Sequence, residues 1–274
     1  MGLSGIDKII LSCNEDPTYM EFWEPISWAY KQMFPDVELH LAFLTNRDEG
    51  DPLVEWFREF GEVTLFKPLP EITEFPQAKM IRFILASMQG DSVCYIDDID
   101  LFPLTKEFIT DKTSQRPKDH LLCVGGEVYD HNGCYPISQM TAEGYIWKQF
   151  INPKNKSYKE LMDEWSGDTM FDRREDVTIF LNWAKDDYFS DERLLRRLLY
   201  SNPVKKFEMK RGYVNYLDST IDRHTWNKHT NTWEFSLEKL ENHGYYNAHG
   251  IRPFQKYREH YAPLINYIRD NYEN

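Results

Sequence analysis

The sequence holds little cysteine. Its four thiols, Cys13, Cys94, Cys123 and Cys134, include no C-x-x-C pair, which excludes a zinc ribbon and gives no sign of a disulfide framework. Cys94 and Cys123 fall inside apolar runs and read as small buried hydrophobes. The chain is also short of positive charge. With 32 Lys and Arg against 45 Asp and Glu, its formal net charge is −13, which argues against a nucleic-acid partner or a polybasic membrane anchor. No stretch approaches the roughly 20 consecutive apolar residues of a membrane span. Met1 to Lys8 lacks the basic and then apolar pattern of a signal peptide, so the expectation is a soluble protein of the cytoplasm. Internal repeats, low-complexity tracts and linker-like stretches are absent too, which favours one continuous domain over residues 1–274.

Aromatics are plentiful. They make up 15% of the 274 residues, within a hydrophobic share of 41%, enough apolar surface for a full core and incompatible with disorder. Trp23, Trp56 and Trp183 sit on helical patterns and read as core, while aromatics between Tyr129 and Tyr158 are expected on exposed loops.

The first 125 residues alternate β-type runs with amphipathic helical ones. Lys8 to Ser12 reads as a strand, Thr18 to Met33 as a helix, and Val37 to Leu44 as a second strand. Pro52 to Phe60 follows as a helix, Glu62 to Phe66 as a third strand, Gln77 to Gln89 as a helix, and Ser92 to Ile96 as a fourth strand. Repeated strand, helix, strand units predict an α/β, Rossmann-like, mainly parallel sheet flanked by helices. Beyond residue 125 the pattern loosens. Helices are predicted over Asp176 to Lys185, Asp191 to Tyr200 and about Gln255 to Tyr272, among segments that supply loops to a site.

The segment with most chemistry follows the fourth strand: Tyr95-Ile96-Asp97-Asp98-Ile99-Asp100-Leu101-Phe102-Pro103. On an extended backbone, residues two apart point the same way, so Asp98 and Asp100 are expected to project together. The carboxyl ends of the strands are where ligands bind in such sheets. Two carboxylates there suit a hard cation, Mn²⁺ or Mg²⁺, which can neutralise phosphate oxygens.

This string resembles the D-x-D segment of GT-A glycosyltransferases, and Asp-Ile-Asp-Leu-Phe-Pro is similar to a branch found in large algal viruses and microbes. The resemblance implies a GT-A fold. It also implies a divalent metal on Asp98 and Asp100 gripping the diphosphate of a sugar nucleotide, with Asp97 a contact to the ribose. In the same family, a basic residue on the preceding helix approaches the nucleotide or the D-x-D acids, which here implies Lys79 and Arg82; at i, i+3 they share one helical face, and Arg82, amid Ile81, Phe83 and Ile84, is expected to have an acidic partner. Asn247-Ala248-His249-Gly250-Ile251-Arg252-Pro253 is similar to the closing segment of retaining enzymes, implying His249 on the metal and Arg252 on phosphate. The spacing is compressed here, and Arg stands where Lys is usual.

Ser190-Asp191-Glu192 reads first as a helix start, with an N-cap serine and acids in the first turn. With Leu194 and Leu195 behind it, the string also resembles blood-group-type glycosyltransferases, which implies Asp191 or Glu192 as a catalytic acid beside the reacting sugar, serving as nucleophile or orienting the acceptor. Ser12 and Asn14, after the first strand, match where the nucleobase binds, or form a plain Asx turn. Residues 1–125 would then hold the nucleotide sugar, and 126–274 would face the acceptor and close the site. The implied activity is transfer of a sugar from a nucleoside diphosphate donor, UDP-linked by expectation, to a glycan or glycoconjugate hydroxyl, with retention.

Three other classes compete. A haloacid-dehalogenase-type phosphohydrolase also places D-x-D after an apolar strand, but here Leu101 follows Asp100 and the motif lies far from the N-terminus. A sugar nucleotidyltransferase would carry a Gly-rich loop after the first strand, where this chain has no glycine. A non-catalytic carbohydrate-binding protein accounts for the aromatics and leaves the acidic cluster unexplained.

Overall fold

The structure is a computed structural model and describes residues 5–125, 135–168, 190–209 and 219–272. Four parallel strands form its first half: β1 (Lys8–Asn14), β2 (Glu38–Leu44), β3 (Glu62–Phe66) and β4 (Val93–Ile96). Three more complete a seven-stranded sheet, namely β6 (Leu121–Val124), β7 (Met140–Glu143) and β8 (Lys206–Met209), in the order β3-β2-β1-β4-β7-β6-β8. β7 pairs antiparallel with β4 and β6, and the other pairings are parallel, so the sheet is mixed and mainly parallel.

Period-two alternation builds a core on each face. Ile9, Leu11 and Cys13 of β1 face one side, with Leu39, Leu41 and Phe43 of β2. Ile10, Ala42, Leu44, Cys94 and Ile96 face the other. On the first side pack α2 (Trp23–Met33), α3 (Pro52–Arg58) and α11 (Ala262–Tyr272). On the second pack α4 (Glu74–Ser87), α6 (Gly144–Ile151), α7 (Tyr158–Asp168) and α8 (Ser190–Ser201). Cys94 and Cys123 are buried as expected, and burial pushes each thiol up to about 12. No helix among the described residues is long and apolar enough to cross a membrane.

Prolines account for three departures from the periodicity. The helix expected over Thr18 to Met33 is broken at Glu21 and Phe22 into α1 (Pro17–Met20) and α2. Pro25 lacks the N–H that would bond back to residue 21, and its ring would collide with that carbonyl in a continuous helix. α4 starts at Glu74, three residues early, because Pro76 falls in the first turn, where its missing donor has no partner to lose. The C-terminal helix is likewise divided into α10 (Phe254–Tyr257), a 3₁₀ turn and α11, with Pro263 in the first turn of α11. The helix predicted over Asp176 to Lys185 and Trp183 lie outside the described residues, as does Cys134.

Two expectations about aromatics are corrected. Trp56 is 39% exposed, packing sideways on Phe57 and Phe60. In the stretch expected as loops, Tyr135, Trp147 and Phe150 are buried in the core.

A second, three-stranded sheet closes the carboxyl ends of the main one. It runs β5 (Leu101–Pro103), β12 (Asn247–His249), β9 (Thr220–Ile221), with β12 in the centre, while β10 (Trp226–Asn227) and β11 (Thr232–Trp233) form a separate hairpin. Because β5 leaves the main sheet to join it, the intervening residues turn, and Leu101 N donates to the Asp98 carbonyl at 3.1 Å. Asp98 and Asp100 therefore sit on a turn, not on the extended segment expected from the sequence.

Candidate active site

β1 and β4 are neighbours, while the chain between them travels outward through β2 and β3. The connection thus reverses direction between β1 and β4, and a crevice opens at their carboxyl ends. A cavity of about 240 Å³ lies there. Its lining includes Ser12 and Asn14 from the end of β1, Lys79 and Arg82 from α4, Asp98 and Asp100 from the turn, Asp191 and Glu192 from α8, and His249 and Arg252 after β12. Ten of the eleven residues singled out in the sequence are brought together.

Asp97 is the exception. Its side chain turns into the core, 3% exposed, where one oxygen accepts from the hydroxyls of Tyr30 at 2.9 Å and Tyr95 at 3.1 Å. Burial, then the adjacent Asp98 charge, pushes its carboxyl up to about 7 against those hydrogen bonds. The expectation of a ribose contact is corrected, since alternation at the end of β4 aims residue 97 at the helix face that carries Tyr30.

One wall of the cavity is built on α4 and α8. Arg82 is buried at 3% exposure. It donates to the Asp97 carbonyl at 3.0 Å and to Asp98 Oδ1 at 2.6 Å, and its other nitrogen lies 3.7 Å from Asp191 Oδ2. Burial works against its charge, but Asp98 and Asp191 more than offset this and raise its pKa. Lys79 pairs with Asp191 at 3.1 Å and lies over the Phe75 ring. Asp191 is fully buried as the counter-ion of these two cations. Glu192 differs. One of its carboxylate oxygens is buried without a hydrogen-bond partner, and burial followed by the Asp191 charge lifts it to about 8. Both effects favour its protonated form, which at the cavity wall could donate a hydrogen bond or a proton.

The opposite wall is the three-stranded sheet. β12 pairs antiparallel with β5, setting His249 opposite Leu101, and parallel with β9, setting Ala248 opposite Ile221. This register draws Asp222 and Arg223, which follow β9, beside Asp100, which precedes β5. Arg223 Nη1 lies 2.9 Å from Asp100 Oδ2 and 2.6 Å from His249 Nε2, and Arg252 lies 3.4 Å from the same carboxylate oxygen. Burial alone would raise Asp100, but His249, Arg252 and Arg223 outweigh it and hold the carboxyl well below the usual range.

Around His249 two influences compete. Burial lowers its pKa, but Asp100 and Asp222 raise it to about 9. Its Nε2 lies 2.6 Å from Arg223 Nη1 and 3.5 Å from Asp100 Oδ2, and its Nδ1 lies 3.6 Å from Asp222 Oδ2, so the ring stands between two carboxylates and a guanidinium. Gly250 fixes the closing segment. Its N–H donates to the Asp100 carbonyl at 2.7 Å, and a Cβ there would lie 2.7 Å from both Phe22 Cε1 and Tyr261 Oη.

Sequence reasoning missed Asp222, Arg223 and Gln139. Arg223 is 123 positions from Asp100 and arrives through a two-residue strand, which carries no periodicity. Gln139 lines the cavity in a left-handed conformation at φ 59°, an uncommon backbone for a residue with a Cβ.

No protein-family model matches the chain, and no curated protein matches it in sequence. Among solved structures it is similar to the glycosyltransferase GlyE of Streptococcus pneumoniae TIGR4, with a TM-score of 0.48 and 10% identity over 95% of this chain. The chain spans 62% of the GlyE length. It is similar as well to the galactosyltransferase LgtC in complex with donor and acceptor sugar analogues, with a TM-score of 0.48 and 10% identity, over 94% of this chain and 95% of that one. At one residue in ten identical, these likenesses assign no family.

Proposed function

We propose that the chain is a GT-A-type glycosyltransferase that moves a sugar from a nucleoside diphosphate donor, UDP-linked, to a glycan hydroxyl. The observation that carries this reading is the convergence of Asp98, Asp100 and His249 with Arg82, Arg223 and Arg252 on one cavity at the carboxyl ends of β1 and β4. Two carboxylates and an imidazole are the donor chemistry of Mn²⁺ or Mg²⁺. Among the described residues no three such groups yet converge as a cage, because guanidinium groups hold Asp98 and Asp100. The residues fit the cation nonetheless: the Asp98 side chain keeps 32% exposure, and His249 Nε2 stands 3.5 Å from Asp100. Asp98, Asp100 and His249 would hold it, and it would supply Lewis-acid charge to the departing diphosphate.

The chain's own groups share that task. Arg252, stacked 4.7 Å over the Tyr19 ring, is placed to bind phosphate with its fork of donors. Ser12 and Asn14 stand at the end of β1 for the base. Inversion would need a carboxylate base at the acceptor hydroxyl. Asp191 is committed to Lys79 and Arg82, and burial pushes the Glu192 carboxyl up to about 8, which favours an acid over a base at this position. Glu192 would instead donate to an oxygen of the reacting sugars.

Calorimetric titration with UDP and GDP, each with and without Mn²⁺, tests the reading. The expected result is manganese-dependent UDP binding that the Asp98→Asn, Asp100→Asn variant loses by at least roughly 100-fold, the scale of two charge-assisted contacts. Absence of nucleotide binding with metal would sink it. Glycan binding by such a protein would then favour the carbohydrate-binding class, and phosphomonoester hydrolysis the phosphohydrolase class.

A further inference from the structure

Beyond Arg223 and Arg252 lies a second cavity of about 450 Å³, which shares those two residues with the first. Its remaining lining is His224, Trp226, Lys228, Asn231, Ile251, Lys256 and Tyr257. On a chain of net charge −13, this lining contains four cations: Arg223 and Arg252, which share Asp100, and the exposed Lys228 and Lys256. Charges beyond about 8 Å are screened at physiological salt, so the groups near this rim, the two lysines and Asp100 with its arginines, set the potential that a ligand meets there, and not the net charge. Trp226 and Tyr257 form the aromatic side. Both are half-buried, their rings 5.0 Å apart at 66°, and Trp226 is braced from behind by His260 at 4.8 Å. Both rings line the cavity, and aromatic surface of this kind is where the C–H groups of a sugar ring can pack. Lys256 lies 4.9 Å from the Tyr257 ring centre, which holds its ammonium beside the aromatic wall.

We propose that this second cavity binds a saccharide bearing an anionic group, phosphate or carboxylate, and that Trp226, Tyr257, Lys228 and Lys256 select it. Each half of that ligand has its counterpart: an apolar ring face for the aromatics, and an anion for the exposed Lys228 and Lys256. Calling the saccharide the acceptor rests on the transfer reading above, because the two cavities meet at Arg223 and Arg252. The binding site itself does not depend on that reading.

Titration of the intact chain with glucose 6-phosphate, glucuronate, glucose and inorganic phosphate, by calorimetry and tryptophan fluorescence, tests the proposal. At least one anionic sugar is expected to bind about tenfold or more tighter than glucose and than phosphate alone, and whichever binds identifies the anion. Its fluorescence signal should vanish in Trp226→Phe, which separates this indole from the other seven of the 8 tryptophans. Lys228→Gln with Lys256→Gln, both at exposed positions, should keep the wild-type melting temperature and weaken the anionic sugar by about tenfold, the value of a charge-assisted contact. Anionic sugars that bind no better than glucose would overturn the proposal, as would affinity untouched by the lysine changes. UDP affinity falling in step with the lysine changes would also overturn it, since it would put the nucleotide here. Anionic-sugar binding that obeys these expectations in a protein indifferent to UDP would uphold the site and sink the transfer reading.

Discussion

The two walls of the cavity are made of the same residue types and reach opposite charge states. On the α4 and α8 wall, Lys79 and Arg82 face Asp98, Asp191 and Glu192, and the surplus acid, Glu192, is pushed up to about 8. On the three-stranded-sheet wall, Arg223, Arg252 and His249 face Asp100 and Asp222, and both acids are held below their ordinary range. Asp100 is no less buried than Glu192, so burial does not decide the outcome. The number of cations in reach does.

The largest expected effect falls on the acid-rich wall. Arg82→Met would leave Asp98 and Asp191 with Lys79 alone, and breaking such a buried pair costs about 3–5 kcal/mol, readable by urea unfolding. Arg223→Met should cost less, about 1–2 kcal/mol, because Asp100 keeps Arg252 and His249. Equal losses in the two variants would break the comparison.

Acid and base stability sharpen it. Folded Glu192 keeps up to about pH 8 a proton that the unfolded chain releases near pH 4.5, so stability falls as pH rises between those values. Glu192→Gln removes the fall, and the melting temperature should drop by roughly 2–4 °C less than wild type between pH 5 and pH 8.5. Asp100, held low, contributes stability above pH 3.8 that is lost only on acidification, so Asp100→Asn should differ from wild type in the opposite sense, flattening the acid limb. An unchanged alkaline limb in Glu192→Gln would show that the acid-rich wall is not under-compensated. The smallest effect is at the junction of the walls: Tyr19→Leu removes the ring beneath Arg252 and should weaken UDP binding about two- to fivefold, the value of a cation–π contact.

The same division separates what the sequence shows from what it hides. β1 to β4 announce themselves because each is long enough to alternate apolar residues between two cores, and the D-x-D acids follow directly from β4. Periodicity placed α4 and α8 as well, with Lys79, Arg82, Asp191 and Glu192 on them. It could not show that Asp98 and Asp100 turn, because the turn is imposed by β5 pairing with a strand nearly 150 positions later. Arg223 was hidden for the same reason: β9 is two residues long, and only its register against β12 gives the neighbouring arginine a place. Asp97 was misread because a run of three acids within four residues looks uniform in sequence, while the end of a strand sends alternate members to opposite sides.

Gly250 links these observations in another way. Its backbone is tied to Asp100, and the space a side chain would need is taken by Phe22 and Tyr261. His249 and Arg252 stand one and two positions from it, so any side chain at 250 would carry an imidazole and a guanidinium away from Asp100 as one piece. Divergence among relatives of this chain should therefore be free to exchange the charges around the cavity one at a time, while the spacing between them is inherited whole.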